Sequence, residues 1–316
     1  MTIAPELLKR RISEGILAFP ATAFGVDGGI DRAAFSRHIS DLVQFRPSAV
    51  AAAGGAGEIF SLSPAEHRLL IEAAVAKSGD VPVLAGAGQG IAVAIEMARA
   101  AEQVGAAGVL IFPPYLITAE QDGLAAYIKR VCDAVSIGVV AYSRDNGVIA
   151  TETALRLAEA CPNLIAIKDG TGNFEALVTL KQQAGDRFAL INGVPTAEII
   201  ARQCFALNMR SYTSAVFTFL PKVAMRFYRA LVAGEDAMID RLLRDFYVPL
   251  TAIRHRRRGY AVAIVKAGLK VTGRPAGPVR PPLVELTPED ERELVALIAR
   301  GSAIVAEEAL DTKAVG

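Results

Sequence analysis

Leu164-Ile165-Ala166-Ile167-Lys168-Asp169-Gly170-Thr171-Gly172-Asn173 is the stretch from which the fold is read. Four apolar residues, two of them β-branched, lead into a lysine, and Gly170 and Gly172 then break regular structure. That is the profile of a short buried strand running into a loop. Lys168 stands where the strand ends, with an apolar run behind it and a polar turn ahead. Desolvation disfavours an ammonium group, so an amine held there is partly neutral near pH 7. A neutral amine attacks carbonyl carbon and forms Schiff bases. Taken alone, the stretch leaves a second reading open, a lysine that snorkels its head out of a strand end.

The same unit recurs on both sides of this strand. Apolar runs at 16–20, 49–53, 81–85, 108–112, 137–142, 188–193 and 211–216 read as further strands. Between them lie helical stretches with recognisable starts. Asp31 can cap a helix over 32–45, and Thr151 starts another. Ser63-Pro64-Ala65-Glu66 combines a cap, a proline at the first helical position and a returning glutamate. Thr118 to Gln121 repeats the cap-and-return pattern. Strand, loop and helix repeated about eight times, roughly 20–33 residues apart, fit a (β/α)8 TIM barrel. Strands that read as continuous apolar runs suit a sheet buried on both faces. A doubly wound sheet also alternates its elements, but no GxGxxG follows the first strand and the strand count favours closure. Beyond about residue 217 the strand signal stops, and helical patterns continue over 217–232, 236–254, 259–269 and from 287 to about 308. The chain therefore divides into a catalytic barrel, 11–234, and a C-terminal helical domain, 235–316, with a frayed tail from Asp311.

Composition narrows the function classes. Of 316 residues, 34 are basic and 33 acidic, which leaves no electrostatic footprint for nucleic acid. The one basic cluster, Arg254-His255-Arg256-Arg257-Arg258, reads as a solvated helix face or subunit contact. Cys132, Cys161 and Cys204 are isolated, so neither a zinc site nor a disulfide framework is supported, and reduced thiols fit a cytoplasmic protein. His38, His67 and His255 lack metal-site spacing. The first thirteen residues do not read as a signal peptide, and no apolar run is long enough to span a bilayer.

Barrel enzymes build their sites at the C-terminal ends of the strands. Reading only those ends collects Gly54-Gly55-Ala56-Gly57-Glu58, Tyr115, Tyr142 with Arg144, Lys168, Asn192 and Ser214. A phenol at Tyr142 can shuttle protons for the amine, or be a rim tyrosine with its hydroxyl in water. Arg144 offers a planar fork of donors to a carboxylate, or pairs with Asp145 at the surface. The glycine loop can present backbone N–H groups to an anion, or form a tight turn.

Three motifs, in order, carry a family resemblance: residues 54–58, Tyr142 at the fifth strand end, and Ile167-Lys168-Asp169-Gly170-Thr171-Gly172-Asn173. Together they resemble the dihydrodipicolinate synthase / N-acetylneuraminate lyase family of Schiff-base barrels over nearly the whole chain. Three further segments (141–146, 260–269 and 279–283) resemble the branch that dehydrates and decarboxylates a keto sugar diacid. The resemblance implies that Lys168 forms the imine and that Tyr142 is its proton-transfer partner. It implies conversion of 5-dehydro-4-deoxy-D-glucarate to 2,5-dioxopentanoate, carbon dioxide and water, with no metal or organic cofactor, in a homo-oligomer built as a dimer of dimers. Gly55 and Ala56 would then hold the ketone-side carboxylate, with Arg144, Asn192 and Ser214 as candidates for the remaining hydroxyls and carboxylate. The synthase pattern has two threonines where Gly55 and Ala56 stand, and a tyrosine pair where Tyr115 is followed by Leu116. Those departures argue against aldol chemistry with pyruvate and leave room for a longer, more polar substrate. The other readings are a sugar-acid aldolase that releases pyruvate and a non-catalytic binding barrel.

Overall fold

A computed structural model describes residues 3–314. Among them, eight parallel strands close into one barrel in chain order. The strands are β1 (Glu14–Ala18), β2 (Ala49–Ala52), β3 (Val83–Gln89), β4 (Gly108–Pro114), β5 (Gly138–Ser143), β6 (Leu164–Asp169), β7 (Ala189–Asn192) and β8 (Arg210–Ser214). The barrel closes where β1 pairs with β8, Ala18 opposite Ser214. Period-two alternation sorts the apolar runs into two cores. Leu17, Ala51, Leu84, Leu110, Val140 and Ile191 fill the barrel interior. Ile16, Val50, Ala85, Val109, Val139 and Leu190 face outward, beneath the surrounding helices. Both faces are buried, which is why the strands show no polar alternation.

The helix starts follow the capping chemistry. Asp31 accepts from the Ala34 amide at 2.8 Å at the head of α2 (Arg32–Val43). Ser63 and Glu66 form the reciprocal capping box of α3 (Pro64–Lys77). Thr118 does not cap: α5 (Gln121–Cys132) starts from Glu120 with no side-chain cap bond. β3 runs through Gly86, Ala87 and Gly88 to Gln89, residues the sequence reading gave to a loop. After β8 the chain is helical: α9 (Val216–Phe219), α10 (Pro221–Ala233), α11 (Asp236–Leu242), α12 (Val248–His255), α13 (Tyr260–Val271) and α14 (Pro288–Ala314). The pattern read over 236–254 is interrupted by a π-helical turn, Leu243–Tyr247. α14 continues to Ala314, past the point where a frayed tail was expected; Val315 and Gly316 lie outside the described residues. Arg256 of the basic cluster anchors this helix, pairing with Asp290 at 2.5 Å and Glu293 at 2.6 Å. No described helix is long and apolar enough to cross a membrane.

One element went unread in the sequence. α1 (Pro5–Ile12) lies across the N-terminal end of the barrel and buries Leu8 and Ile12 completely, in the interior core. Gly108 and Gly138 open β4 and β5, and a Cβ at either would stand 2.8 or 2.9 Å from the Leu8 methyl. The glycines thus make the socket for a leucine plug. Leu8→Ala should lower global stability by about 2–5 kcal/mol, the usual range for a buried leucine that leaves a cavity. A denaturant melt measures it; a loss under half a kcal/mol would mean that the plug is not part of the cooperative fold.

Candidate active site

Strand register brings the two principal residues together. Tyr142 on β5 is the direct partner of Lys168 on β6, and both continue inward-facing columns of the barrel interior. Lys168 is buried, only 4% exposed, under apolar and aromatic neighbours. Its Nζ lies 3.2 Å from the centre of the Tyr142 ring and 5.5 Å from that of Phe19. The amine donates to the Gly193 carbonyl at 3.2 Å, and the Tyr142 hydroxyl donates to the same oxygen at 2.8 Å. A Cβ on residue 193 would meet the Lys168 side chain at 2.5–2.8 Å, so glycine there makes the space the amine occupies.

Electrostatics follow from this burial. Desolvation, then the charge of Arg144, holds the Lys168 amine well below the ordinary lysine range; Asp169 opposes them. Desolvation raises the Tyr142 phenol, while Arg144 pulls it back through its charge and a 3.1 Å bond from Nη1 to the hydroxyl. Arg144 also pairs with Asp145 at 2.6 Å, the surface pairing that the sequence left open. Asp169 does not touch the amine. It accepts from the Thr171 hydroxyl at 2.7 Å and the Gly172 amide at 2.8 Å, shaping the loop that the two glycines permit. Among the described residues no group of three or more His, Cys, Asp or Glu side chains gathers to hold a metal ion.

Lys168, Tyr142, Arg144, Gly55, Ala56 and Ser214 line one cavity of about 260 Å³ at the C-terminal end of the barrel. No protein hydrogen bond engages the Gly55 or Ala56 amide among the described residues. Asn192 does not line this cavity; its amide donates to Ala197 at 2.9 Å and its oxygen accepts from Val194, fastening the loop after β7. Ser214 borders the cavity, but its side chain shares the outward face of β8 with Tyr212 and donates to buried Glu198 at 2.5 Å, so the expected contact of its hydroxyl with substrate is not supported; its neighbour Thr213 points inward. Tyr115 stands outside, exposed with Leu116 and Ile117. The remaining wall is mostly apolar, with Phe19, Phe112, Val194 and, from α13, Ala261 and Val262, and carries hydroxyls at Thr196 and Thr213.

The glycine loop is held from behind. Glu58 adopts a left-handed backbone (φ 57°), uncommon for a residue with a side chain. Its fully buried carboxylate pairs with Lys266 of α13 at 2.7 Å and accepts from the Arg280 amide at 2.9 Å. Lys266 also donates to Pro278 at 2.6 Å, and the Arg280 guanidinium lies 4.1 Å over the Phe24 ring while clamping Glu66. Segments 54–58, 260–269 and 279–283 therefore meet at one ion-pair cluster. Sequence reasoning missed this role of Glu58 and Lys266, although both sit in segments that carried the resemblance. It also missed the Gly193 carbonyl, for a main-chain acceptor has no side-chain signature.

A buried amine whose pKa is lowered by desolvation sets a sign for stability. The unfolded chain binds a proton on this lysine up to its ordinary pKa, and the folded chain releases it at lower pH. Burial of Lys168 therefore opposes folding most below its folded pKa, and the opposition vanishes above about 10.4. Lys168→Met should raise the thermal midpoint at neutral pH, with a gain that shrinks as the pH rises toward 10. A midpoint unchanged or lowered at every pH would show that the amine is not desolvated in the fold.

Comparison with known proteins places the chain. The model of the dihydrodipicolinate synthetase family matches residues 12–300. A protein from Saccharopolyspora erythraea named probable 5-dehydro-4-deoxyglucarate dehydratase is 48% identical over 294 residues, covering 93% of this chain and 94% of its own. One of the same name from Chelativorans sp. is 46% identical over 295 residues, covering 93% and 98%. Among solved structures, dihydrodipicolinate synthase from Oceanobacillus iheyensis superposes with a TM-score of 0.85 at 23% identity, covering 93% of this chain and 98% of its own, a likeness of fold. With its barrel, its strand-end lysine and this match over most of its length, the chain belongs to the dihydrodipicolinate synthetase family.

Proposed function

We propose that this protein is a decarboxylating hydro-lyase that converts 5-dehydro-4-deoxy-D-glucarate to 2,5-dioxopentanoate, carbon dioxide and water. The observation that carries the chemistry is the buried Lys168 amine, held toward its neutral form beside the Tyr142 phenol at a barrel mouth. The substrate assignment draws on relatives that bear the dehydratase name across nearly their full length.

The steps follow from the positions. Lys168 attacks the ketone and water leaves, giving an iminium that withdraws electrons from the neighbouring methylene. Tyr142 carries protons at this centre, where Arg144 steadies the phenolate that forms transiently. Loss of the β-hydroxyl extends conjugation toward the far carboxylate. That carboxylate leaves as carbon dioxide as its electrons flow to the nitrogen, and hydrolysis frees the amine. The Gly55 and Ala56 amides hold the ketone-side carboxylate, and Arg144 faces the rest of the substrate, whereas the Ser214 side chain is turned outward to Glu198. Asn192 acts at one remove, by fastening the loop that presents the Gly193 carbonyl. The nitrogen is the electron sink, so the mechanism calls for no metal or organic cofactor.

The working division is a barrel over 11–234 with a helical domain over 235–316 that completes the cavity wall through Ala261 and Val262. We place the protein in the cytoplasm, as a homo-oligomer. Tyr115, Leu116 and Ile117 expose 71%, 80% and 64% of their surface side by side, an apolar patch suited to burial against a second copy.

Purified protein given the sugar diacid should release carbon dioxide and a semialdehyde, and pyruvate as the product instead would establish the aldolase reading. Lys168→Ala should abolish turnover without unfolding the chain, and Tyr142→Phe should slow it roughly 10²–10⁴-fold. Wild-type rates in the lysine variant would refute the imine assignment. In sedimentation, Ile117→Asp should shift the protein to a smaller species; a wild-type protein that is already monomeric would reject the oligomer.

A further inference from the structure

Most polar side chains on the cavity wall are already engaged by the protein. The Lys168 amine and the Tyr142 hydroxyl share the Gly193 carbonyl. Arg144 is held by Asp145 and by the Tyr142 hydroxyl. Thr196 accepts from the Arg254 guanidinium, and Ser214 is turned outward to Glu198. Thr213 of β8 is the exception. It lines the cavity and is only partly buried. Among the described residues its hydroxyl has no hydrogen-bond partner and is not sealed from solvent.

The strand registers place that hydroxyl beside the reacting amine. Thr213 pairs with Leu17 of the interior core, so its side chain points into the barrel, and the open space it meets there is the cavity. Lys168 registers with Ile191, and Ile191 with Ser211, the inward-facing residue before Thr213. Registered partners are not level, because barrel strands tilt. Followed once round the barrel, the registers return to β6 about eight residues nearer its start, which is the shear of this fold. A level ring therefore climbs about one residue per strand. From Lys168 it passes through Thr213 on β8, Ala51 on β2 and Leu110 on β4. Ala51 and Leu110 belong to the interior core, so alternate strands supply one layer of side chains. Lys168 and Thr213 are neighbours in that layer, and Tyr142 comes from β5, on the other side of Lys168. At the usual strand spacing β6 and β8 stand about 10 Å apart. A substrate chain carried on the lysine is therefore flanked by Tyr142 on one side and Thr213 on the other.

We propose that Thr213 recognises the substrate's β-hydroxyl, the group that departs, and holds it on the flank of the chain away from Tyr142. This rests on the dehydratase reading above. A threonine hydroxyl both donates and accepts, as does the hydroxyl it would meet, whereas a guanidinium only donates. The methylene that loses its proton and the carbon that loses its hydroxyl are adjacent in the substrate. Tyr142 serves the first and Thr213 orients the second, so the two groups are turned to opposite sides. Thr213 keeps its own proton throughout. A keto acid without that hydroxyl leaves the threonine unpaired in the pocket, which discriminates against it.

The test compares wild type, Thr213→Val and Thr213→Ser on 5-dehydro-4-deoxy-D-glucarate and on pyruvate, a keto acid that lacks the hydroxyl. Two readouts are taken: kcat and KM for carbon dioxide release from the sugar diacid, and the rate at which borohydride fixes pyruvate on Lys168. Valine keeps the shape and removes the hydroxyl. That variant should lose roughly 10–100-fold in kcat/KM for the diacid, the scale of one lost hydrogen bond in a closed pocket, while it traps pyruvate at the wild-type rate. Serine restores the hydroxyl and should recover most of the loss. A valine variant with wild-type kcat/KM on the diacid would overturn the assignment and leave the dehydratase reading standing. An equal loss on pyruvate would also overturn it, because the threonine would then only support the amine. A wild type that fixes pyruvate but does not consume the diacid would overturn both. Should the valine variant fail to fold, Thr213→Ala decides on the same terms.

Discussion

The proposed chemistry depends on keeping water away from one nitrogen. Lys168 Nζ has an aromatic ring on one side, the interior of the barrel below it and a single main-chain carbonyl as acceptor. No carboxylate touches it, and Asp169, the nearest in sequence, is bound into its own loop. Had Asp169 turned to the amine, the pair would have stabilised the ammonium and removed the nucleophile. The strand position alone does not produce this. It takes the Tyr142 ring from the adjacent strand and a residue without Cβ at 193.

Two buried carboxylates show how the same fold handles the same side chain in opposite ways. Glu58 has a cation, and with it holds together a turn with an unfavourable backbone angle, helix α13, the non-helical segment at Arg280 and the back of the glycine loop. Removing one partner of such a pair typically costs about 3–5 kcal/mol, because the other charge is left stranded. Glu198 has a serine and no cation in contact, so its environment favours the protonated acid. The first arrangement keeps a charge buried by pairing it; the second leaves a carboxyl whose burial raises its pKa to about 7.

Legibility in the sequence varied with the range of the physics involved. Strand order and helix starts were readable because apolar periodicity and capping act over a few residues: Asp31 and Ser63 cap as expected. Thr118 failed because α5 starts from Glu120, two residues further on, so the threonine does not stand at the capping position. β3 was cut short because Gly86 and Gly88 look like loop residues. A Cβ at 86 would stand 2.1 Å from the Ala53 carbonyl, so these glycines answer a close tertiary approach within a strand.

Lys168 and Tyr142 were legible because strand ends are where a barrel gathers its chemistry, and that rule needs only the strand count. Asn192 met the same rule, yet its side chain turned to the loop, a choice of rotamer that no spacing records. The sequence by itself determined the architecture and the place of Lys168 at a strand end, since both follow from local hydrophobic patterning repeated along the chain. Only the tertiary structure decided which strand-end groups face the cavity, that a leucine from α1 plugs its floor, and that Glu58 finds a lysine while Glu198 finds a serine. Those outcomes are set by contacts between residues far apart in the chain, where burial and charge act through space and sequence distance carries no information.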